Sequence, residues 1–194
     1  MEVGKTLYVT NRRQWRSWLS KHHKAAGEIW LIYYKKQSRK SRIPYNDAVE
    51  EALCYGWIDS LLKPRDEESW VQRFSPRKQK SRLSEMNKER VRRLIKAGKM
   101  TRSGLKSIRL HLYDKASNSL VYPELKEFTL PRDILQALKA DGDAWKNFTR
   151  FSESYKRIRI GWIDGARKRP EIFAQRLRYF IKMTGQNKKF GMVR

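Results

Sequence analysis

The block from Glu51 to Arg77 constrains this chain more than any other stretch. Ala52, Leu53, Cys54 and Tyr55 continue a helix-like apolar spacing that stops at Gly56, and Trp57, Ile58, Asp59 and Ser60 then turn to strand-like alternation. A second, aromatic-rich strand, Trp70 to Phe74, follows Ile58 to Lys63 after Pro64, Arg65, Asp66, Glu67 and Glu68, a loop of hairpin length. A helix, a terminating glycine and a β-hairpin are therefore predicted in direct succession, and the hairpin feeds a basic segment.

The flanking sequence builds on this block. Leu7, Tyr8 and Val9 read as a short strand, and Trp15, Trp18, Leu19 and His22 recur at helical spacing from a start near Thr10. Both faces of Ile29 to Tyr34 are apolar, which predicts a central strand covered on each side. Pro44 to Asp47 opens the helix that Gly56 ends. Ser84 is an N-cap candidate for a helix running to Gly98, with Leu94 and Ile95 inward and Lys88, Arg92, Lys96 and Lys99 outward. Gly104 to Lys115 has the pattern of another helix, whereas residues 117 to 129 lack periodicity. Beyond them the signal is helical throughout: Pro131, Asp143, Ser152 and Pro170 each stand where a helix begins.

The expected fold class is α+β, a small sheet with a central hairpin packed by helices, followed by an all-helical segment. The expected divisions are 1–116 for the α+β domain, 117–130 for a linker, 131–187 for the helical segment and 188–194 for a basic tail.

Composition bears on partners. Lys and Arg number 45 against 20 Asp and Glu, a net charge of +25, and aromatics are too abundant for the excess to mark disorder. Such a surface suits polyanions: RNA, DNA or anionic lipid headgroups. The densest part contains Arg73, Arg77, Lys78, Lys80 and Arg82, with no carboxylate between Ser69 and Ser84, and the next helix adds Lys88, Arg92 and Lys96. These residues are the candidate phosphate contacts, with Trp70 or Phe74 available to stack on bases; the alternative is a solvated charged face above a buried hairpin.

Other chemistry finds less support. His22, His23 and His111 have no metal-ligand companion, so neither a metal nor another cofactor is expected. The lone Cys54 falls on an inward helix face and reads as a core thiol. Asp59 has no acid–base companion in its vicinity and is expected to cap a backbone amide or pair with an arginine; general base in a cleft is the enzymatic alternative. Gly56-Trp57-Ile58-Asp59 recurs as Gly161-Trp162-Ile163-Asp164, but the second copy falls inside a helical pattern with unrelated flanks, and Asp164 is expected to pair with Lys168. Asp66, Glu67 and Glu68 lack calcium-loop spacing and read as a solvated hairpin tip. Neither a signal-peptide pattern nor an apolar run of membrane-spanning length stands out, and the expected location is the cytoplasm.

The segment Ala48 to Arg77, with Glu51-Ala52-Leu53-Cys54-Tyr55-Gly56-Trp57-Ile58-Asp59 and Trp70-Val71-Gln72-Arg73-Phe74-Ser75-Pro76-Arg77, closely resembles the YdeI/OmpD-associated (OmdA-like, bacteriocin-protection) family. Asn87 to Gly98 is similar to that family's helix after the hairpin, and Ser152, Tyr155, Trp162, Ile163, Ala166 and Pro170 to its C-terminal helices. Ile172 and Phe173 depart from it, standing where the family shows Thr and Arg. The resemblance implies a prokaryotic protein tied to tolerance of bacteriocins or antimicrobial peptides, with no catalytic residues to carry over. A chain at +25 repels cationic peptides, so a non-catalytic cytoplasmic binding protein with an indirect protective role is expected. A sequence-nonspecific nucleic-acid binder and an enzyme using a cleft near Asp59 are the alternatives.

Overall fold

The computed structural model describes residues 2–78, 81, 83–114, 119–120 and 128–191. The fold is α+β: a four-stranded mixed sheet early in the chain, followed by a run of C-terminal helices. Two compact units divide it, Met1–Arg82 with Arg90–Pro123, and Leu83–Glu89 with Glu124–Arg194. Most of the 117–130 stretch read as a linker lies outside the described residues, as do Lys80 and Arg82.

In the first unit β1 (Thr6–Leu7) leads into α1 (Arg12–His22), whose N-cap Asn11 accepts from the Gln14 amide. β2 (Ile29–Tyr34) follows parallel to β1. A single 3-10 turn, Lys36–Ser38, precedes α2 (Tyr45–Cys54), and the hairpin strands are β3 (Trp57–Pro64) and β4 (Ser69–Pro76). The sheet order is β1-β2-β4-β3, so β4 pairs with both β2 and β3 and the hairpin's first strand is an edge. The register runs from Ile29 opposite Phe74 to Tyr34 opposite Ser69.

β2 is central and covered on both faces, as its unbroken apolar run predicts. Ile29, Leu31 and Tyr33 join Trp15, Leu19, Val49, Leu53 and Phe74 in the main core, while Trp30 and Ile32 form a second cluster with Val71 on the other face. Buried indoles find acceptors: Trp15 Nε1 donates to Ala48 O at 3.0 Å and Trp57 Nε1 to His23 O at 3.1 Å. Gly56 ends α2 with φ +79°, the left-handed conformation that favours glycine.

Helix α3 (Glu85–Lys96) has Leu83–Glu89 grouped with the second unit and Arg90 onward with the first. α4 (Arg102–Leu112) begins two residues before the Gly104 start that the periodicity predicts, because Thr101 is its cap: the Gly104 amide donates to Thr101 Oγ1 at 3.2 Å. The same Thr101 donates from its amide (3.0 Å) and its hydroxyl (2.6 Å) to Cys54 O, satisfying a carbonyl at the end of α2. Two short strands, β5 (Tyr113–Asp114) and β6 (Ser119–Leu120), pair antiparallel in a region whose sequence shows no strand signal.

The second unit contains α5 (Arg132–Lys139), α6 (Gly142–Arg150), α7 (Glu153–Asp164) and α8 (Pro170–Gly185). Asp141 caps α6, Ser152 caps α7, and Pro170 occupies the first turn of α8, where its missing N–H is harmless. Ile134, Leu138, Phe148, Tyr155, Ile163 and Phe180 form the core. Asn147 Nδ2 reaches Thr184 O at 3.0 Å and Gly185 O at 3.1 Å, tying α6 to the end of α8. Gly161-Trp162-Ile163-Asp164 lies within α7, whereas Gly56-Trp57-Ile58-Asp59 straddles a helix end and a strand. The two are therefore not copies of one structural unit.

Candidate functional site

The polar constellation around Asp59 is built by three neighbouring elements of the first unit. Asp59 stands at the start of β3, where the register against β4 shifts between Asp59 and Leu62, a bulge of the kind that re-aims side chains. Tyr45, first residue of α2, donates its hydroxyl to Asp59 Oδ2 at 2.5 Å. Asp59 is thus partnered by a phenol rather than by the backbone amide or arginine the sequence suggests. Tyr33 of β2 carries a buried hydroxyl without a hydrogen-bond partner among the described residues, and its ring stacks on Trp70 at 5.8 Å. The Arg42 guanidinium lies 4.7 Å from the Trp70 ring centre. Arg90 Nη2 donates to Asn46 Oδ1 at 2.6 Å.

Electrostatics define what this cluster can do. Desolvation pushes the Tyr33 and Tyr45 phenols well above the ordinary tyrosine range; the hydrogen bond to Asp59 adds to the effect at Tyr45, and the Asp59 carboxylate adds to it at Tyr33. Both are neutral donors at physiological pH, and neither is a base. Burial lowers the Arg90 pKa, partly offset by Tyr45, Glu50 and Asp59. The arrangement supplies one carboxylate acceptor and neutral phenols, enough to orient a polar group.

The sequence-derived basic residues occupy varied settings. Arg73 is half-buried and engaged: Nε meets Glu28 Oε2 at 2.7 Å, and Nη1 reaches the Ser60 and Ser75 hydroxyls. Arg77 is 7% exposed, with Nη2 donating to Ser81 O and Nε unpartnered among the described residues; burial lowers its pKa. Lys78 and Lys96 are exposed and Arg92 half-buried. Lys88, in the second unit, pairs with Glu85 at 2.6 Å.

Sequence reasoning misses a long-range ion network on α1 and α2. Glu51, its side chain 4% exposed, receives Arg12 Nε at 2.8 Å and Arg16 Nη1 at 2.7 Å, and Glu50 receives Arg12 at 2.9 Å and Arg93 at 3.1 Å. No local spacing could reveal pairs more than thirty residues apart. At the hairpin tip Asp66 organises the turn, accepting from Ser69 Oγ and the Glu68 amide, bonds that hold its carboxyl below the usual range. Asp164 pairs with Arg167 at 2.5 Å instead of Lys168: α7 ends at Asp164, so no helical i, i+4 geometry carries Lys168 toward it. Among the described residues no group of three or more His, Cys, Asp or Glu could hold a metal ion, and no helix is long and apolar enough to cross a membrane.

No curated protein and no solved structure matches the chain. The family model described as Bacteriocin-protection, YdeI or OmpD-Associated matches residues 127–187, about a third of the chain, which includes α5 to α8. The Ala48–Arg77 block, which carries the resemblance to that family in the sequence, lies outside that match and within another. The model described as Domain of unknown function (DUF8412) matches residues 7–107, just over half of the 194 residues, and it is to this family that the chain belongs.

Proposed function

We propose that this chain is a non-catalytic, cytoplasmic binding protein that engages polyanions, nucleic acid foremost, through surplus surface cations. The observation that carries the reading is the charge balance. Carboxylates are the scarce partner in a chain of +25, and those of Glu28, Glu50, Glu51 and Asp133 are already committed to arginines, so cations are left in excess; Arg77, Arg90 and Arg159 are buried, whereas others reach solvent. Lys78 and Lys96 are exposed, and with Lys80 and Arg82, which follow Lys78 closely in the chain, they are the proposed phosphate contacts. Any link to bacteriocin tolerance suggested by the match over residues 127–187 is indirect in this reading, because like charge opposes capture of cationic peptides.

Binding to single-stranded RNA or duplex DNA should weaken with salt at a log–log slope of about −0.7 to −0.9 per phosphate contacted, with little sequence preference. Neutralising Lys78, Lys80, Arg82 and Lys96 should lower affinity and slope more than neutralising Lys168, Arg178, Lys182 and Lys188. Equal losses would reduce the site to diffuse attraction, and no binding at low salt would remove the reading.

One observation favours a second reading. The Tyr45–Asp59 hydrogen bond beside the Tyr33 hydroxyl, unpartnered among the described residues, at a strand bulge, is an arrangement an enzyme could use to orient a substrate. Turnover found in a substrate screen, abolished by Asp59→Asn with the melting temperature unchanged, would establish it over the first; a full screen without turnover would dismiss it.

A further inference from the structure

Beside the sheet edge, a groove of about 590 Å³ runs between the residues of and following β1 and one side of α1. Its walls come from residues 7–10 on the strand side and 13–22 on the helix side, all within the first unit. β1 pairs only with β2, so one side of it is an open edge among the described residues.

The backbone pattern shows which groups face outward. Lys5 O accepts from Trp30 N at 3.0 Å, so Lys5 and Leu7 turn their backbone polar groups toward β2, and beyond the strand Val9 O accepts from Ile43 N, in the segment before α2, at 3.2 Å. Strand alternation then turns those of Thr6 to the free side, and carried one residue past the strand it turns those of Tyr8 the same way. The Thr10 amide meets a helix side chain that lines the groove, Gln14 Oε1, at 2.8 Å. The outward amides and carbonyls of Thr6 and Tyr8 are what an added strand would need.

Side chains on α1 set the chemistry of that strand. Arg13, Ser17 and Lys21 form one i, i+4, i+8 row along the groove, and Gln14, Trp18 and His22 form the adjacent row. Arg13 and Lys21 are exposed and have no ion-pair partner among the described residues, and no carboxylate lines the groove. Eight helical residues rise about 12 Å. Four strand steps, from i to i+4, span about 13 Å, and the first, third and fifth side chains point the same way. An extended peptide therefore matches both cations when its acids stand four apart. Between the cations, Trp18 and Leu7, both partly buried against the core, offer an apolar seat to the side chain midway between those acids.

We propose that this groove is a docking site for an acidic segment of a partner protein, bound extended as an extra strand on β1, with carboxylates at i and i+4 against Arg13 and Lys21 and an apolar residue at i+2 against Trp18. The inference stands apart from the polyanion reading, since it concerns residues that reading does not use, and it assigns specificity to acid spacing where that reading assigns none.

The test uses the intact protein and a fluorescein-labelled peptide, Thr-Glu-Thr-Val-Thr-Glu-Thr, in anisotropy titrations at about 0.15 M salt, where diffuse attraction is screened beyond about 8 Å. A peptide of identical composition with its acids three apart, Thr-Glu-Thr-Val-Glu-Thr-Thr, puts them on opposite faces and should bind at least about tenfold more weakly. Methylating the backbone nitrogens of one alternate set of residues should abolish binding, and methylating the other set should spare it. The double reversal Arg13→Glu with Lys21→Glu should lose the peptide, whereas Lys168→Glu with Lys182→Glu, the same change of charge in the second unit, should keep it. Equal affinity for the two acid spacings, tolerance of both methylation sets, equal losses from the two reversals, or no binding of the first peptide would each overturn the proposal. The peptide arms need no altered protein, so they decide the matter even where a reversal variant fails to fold. Loss of oligonucleotide binding together with peptide binding on reversing Arg13 and Lys21 would reduce the groove to a generic anion site and overturn it too.

Discussion

Gly104→Ala should destabilise the first unit markedly, although alanine is the better helix former. A Cβ at position 104 would stand 2.2 Å from Cys54 O, 2.7 Å from Cys54 C and 2.9 Å from Leu53 O, all backbone atoms that no rotamer change can move. Ordinary contact begins at 3.4 Å, so α4 must retreat by about 1.2 Å from the end of α2 (3.4 − 2.2). That retreat stretches the 3.0 Å bond from Thr101 N to Cys54 O toward 4 Å, past useful hydrogen-bond length, and strains its 2.6 Å hydroxyl companion. Overpacking costs about 1–3 kcal/mol and a weakened buried hydrogen bond about 1–2 kcal/mol. The helix-propensity gain of about 1 kcal/mol offsets part of this, leaving a net loss of about 1–4 kcal/mol. In a unit of this size the loss amounts to roughly 5–20 °C in melting temperature. Equilibrium urea unfolding, followed through the indoles of Trp15 and Trp57 buried in the same core, measures it. Gly142→Ala, where nothing lies within 4 Å, is the matched control and should be neutral or stabilising by up to about 1 kcal/mol. If Gly104→Ala proves as stable as the parent, the close approach of α4 to α2 is wrong.

Cys54 is buried, and desolvation pushes its thiol up to about 11; at pH 8 a thiol reagent should label the native protein at least about a hundredfold more slowly than the urea-unfolded chain, and rapid native labelling would contradict the burial. Tyr33 and Tyr45 stay protonated in the folded state at pH values where the unfolded chain ionises them, near 10, so the stability they contribute is complete below pH 10 and is lost as pH rises beyond it. The urea midpoint should therefore fall above pH 10, and fall less steeply in the double variant Tyr33→Phe, Tyr45→Phe; equal slopes would refute the assignment. Glu51→Gln leaves Arg12 and Arg16 facing each other without their shared carboxylate, at a cost of about 1–3 kcal/mol once discounted for guanidinium side chains that are 32% and 38% exposed. A loss below about 0.5 kcal/mol in urea unfolding would show that water replaces the network.

Local signals in the sequence determined the elements. Ile29 to Tyr34 had to be a central strand because apolar residues on both sides need cover on both sides. α2 had to stop near Gly56, the residue that reaches φ +79° without a Cβ clash, and Ser152 and Pro170 mark helix starts through chemistry confined to one turn. Tertiary structure decided what those elements meet. β4 lies between β2 and β3, Tyr45 reaches Asp59 across fourteen residues, and Arg73 finds Glu28 across forty-five. Arg77 and Lys78 are adjacent cations in the sequence, yet one is buried and the other exposed. Gly104, which reads as the beginning of a helix, proves to be the point where two helices touch backbone to backbone. Capping, turn conformation and side-chain periodicity depend on a few neighbouring residues and are written along the chain; ion pairing, close approach and an open sheet edge depend on atoms brought together only after the chain has packed.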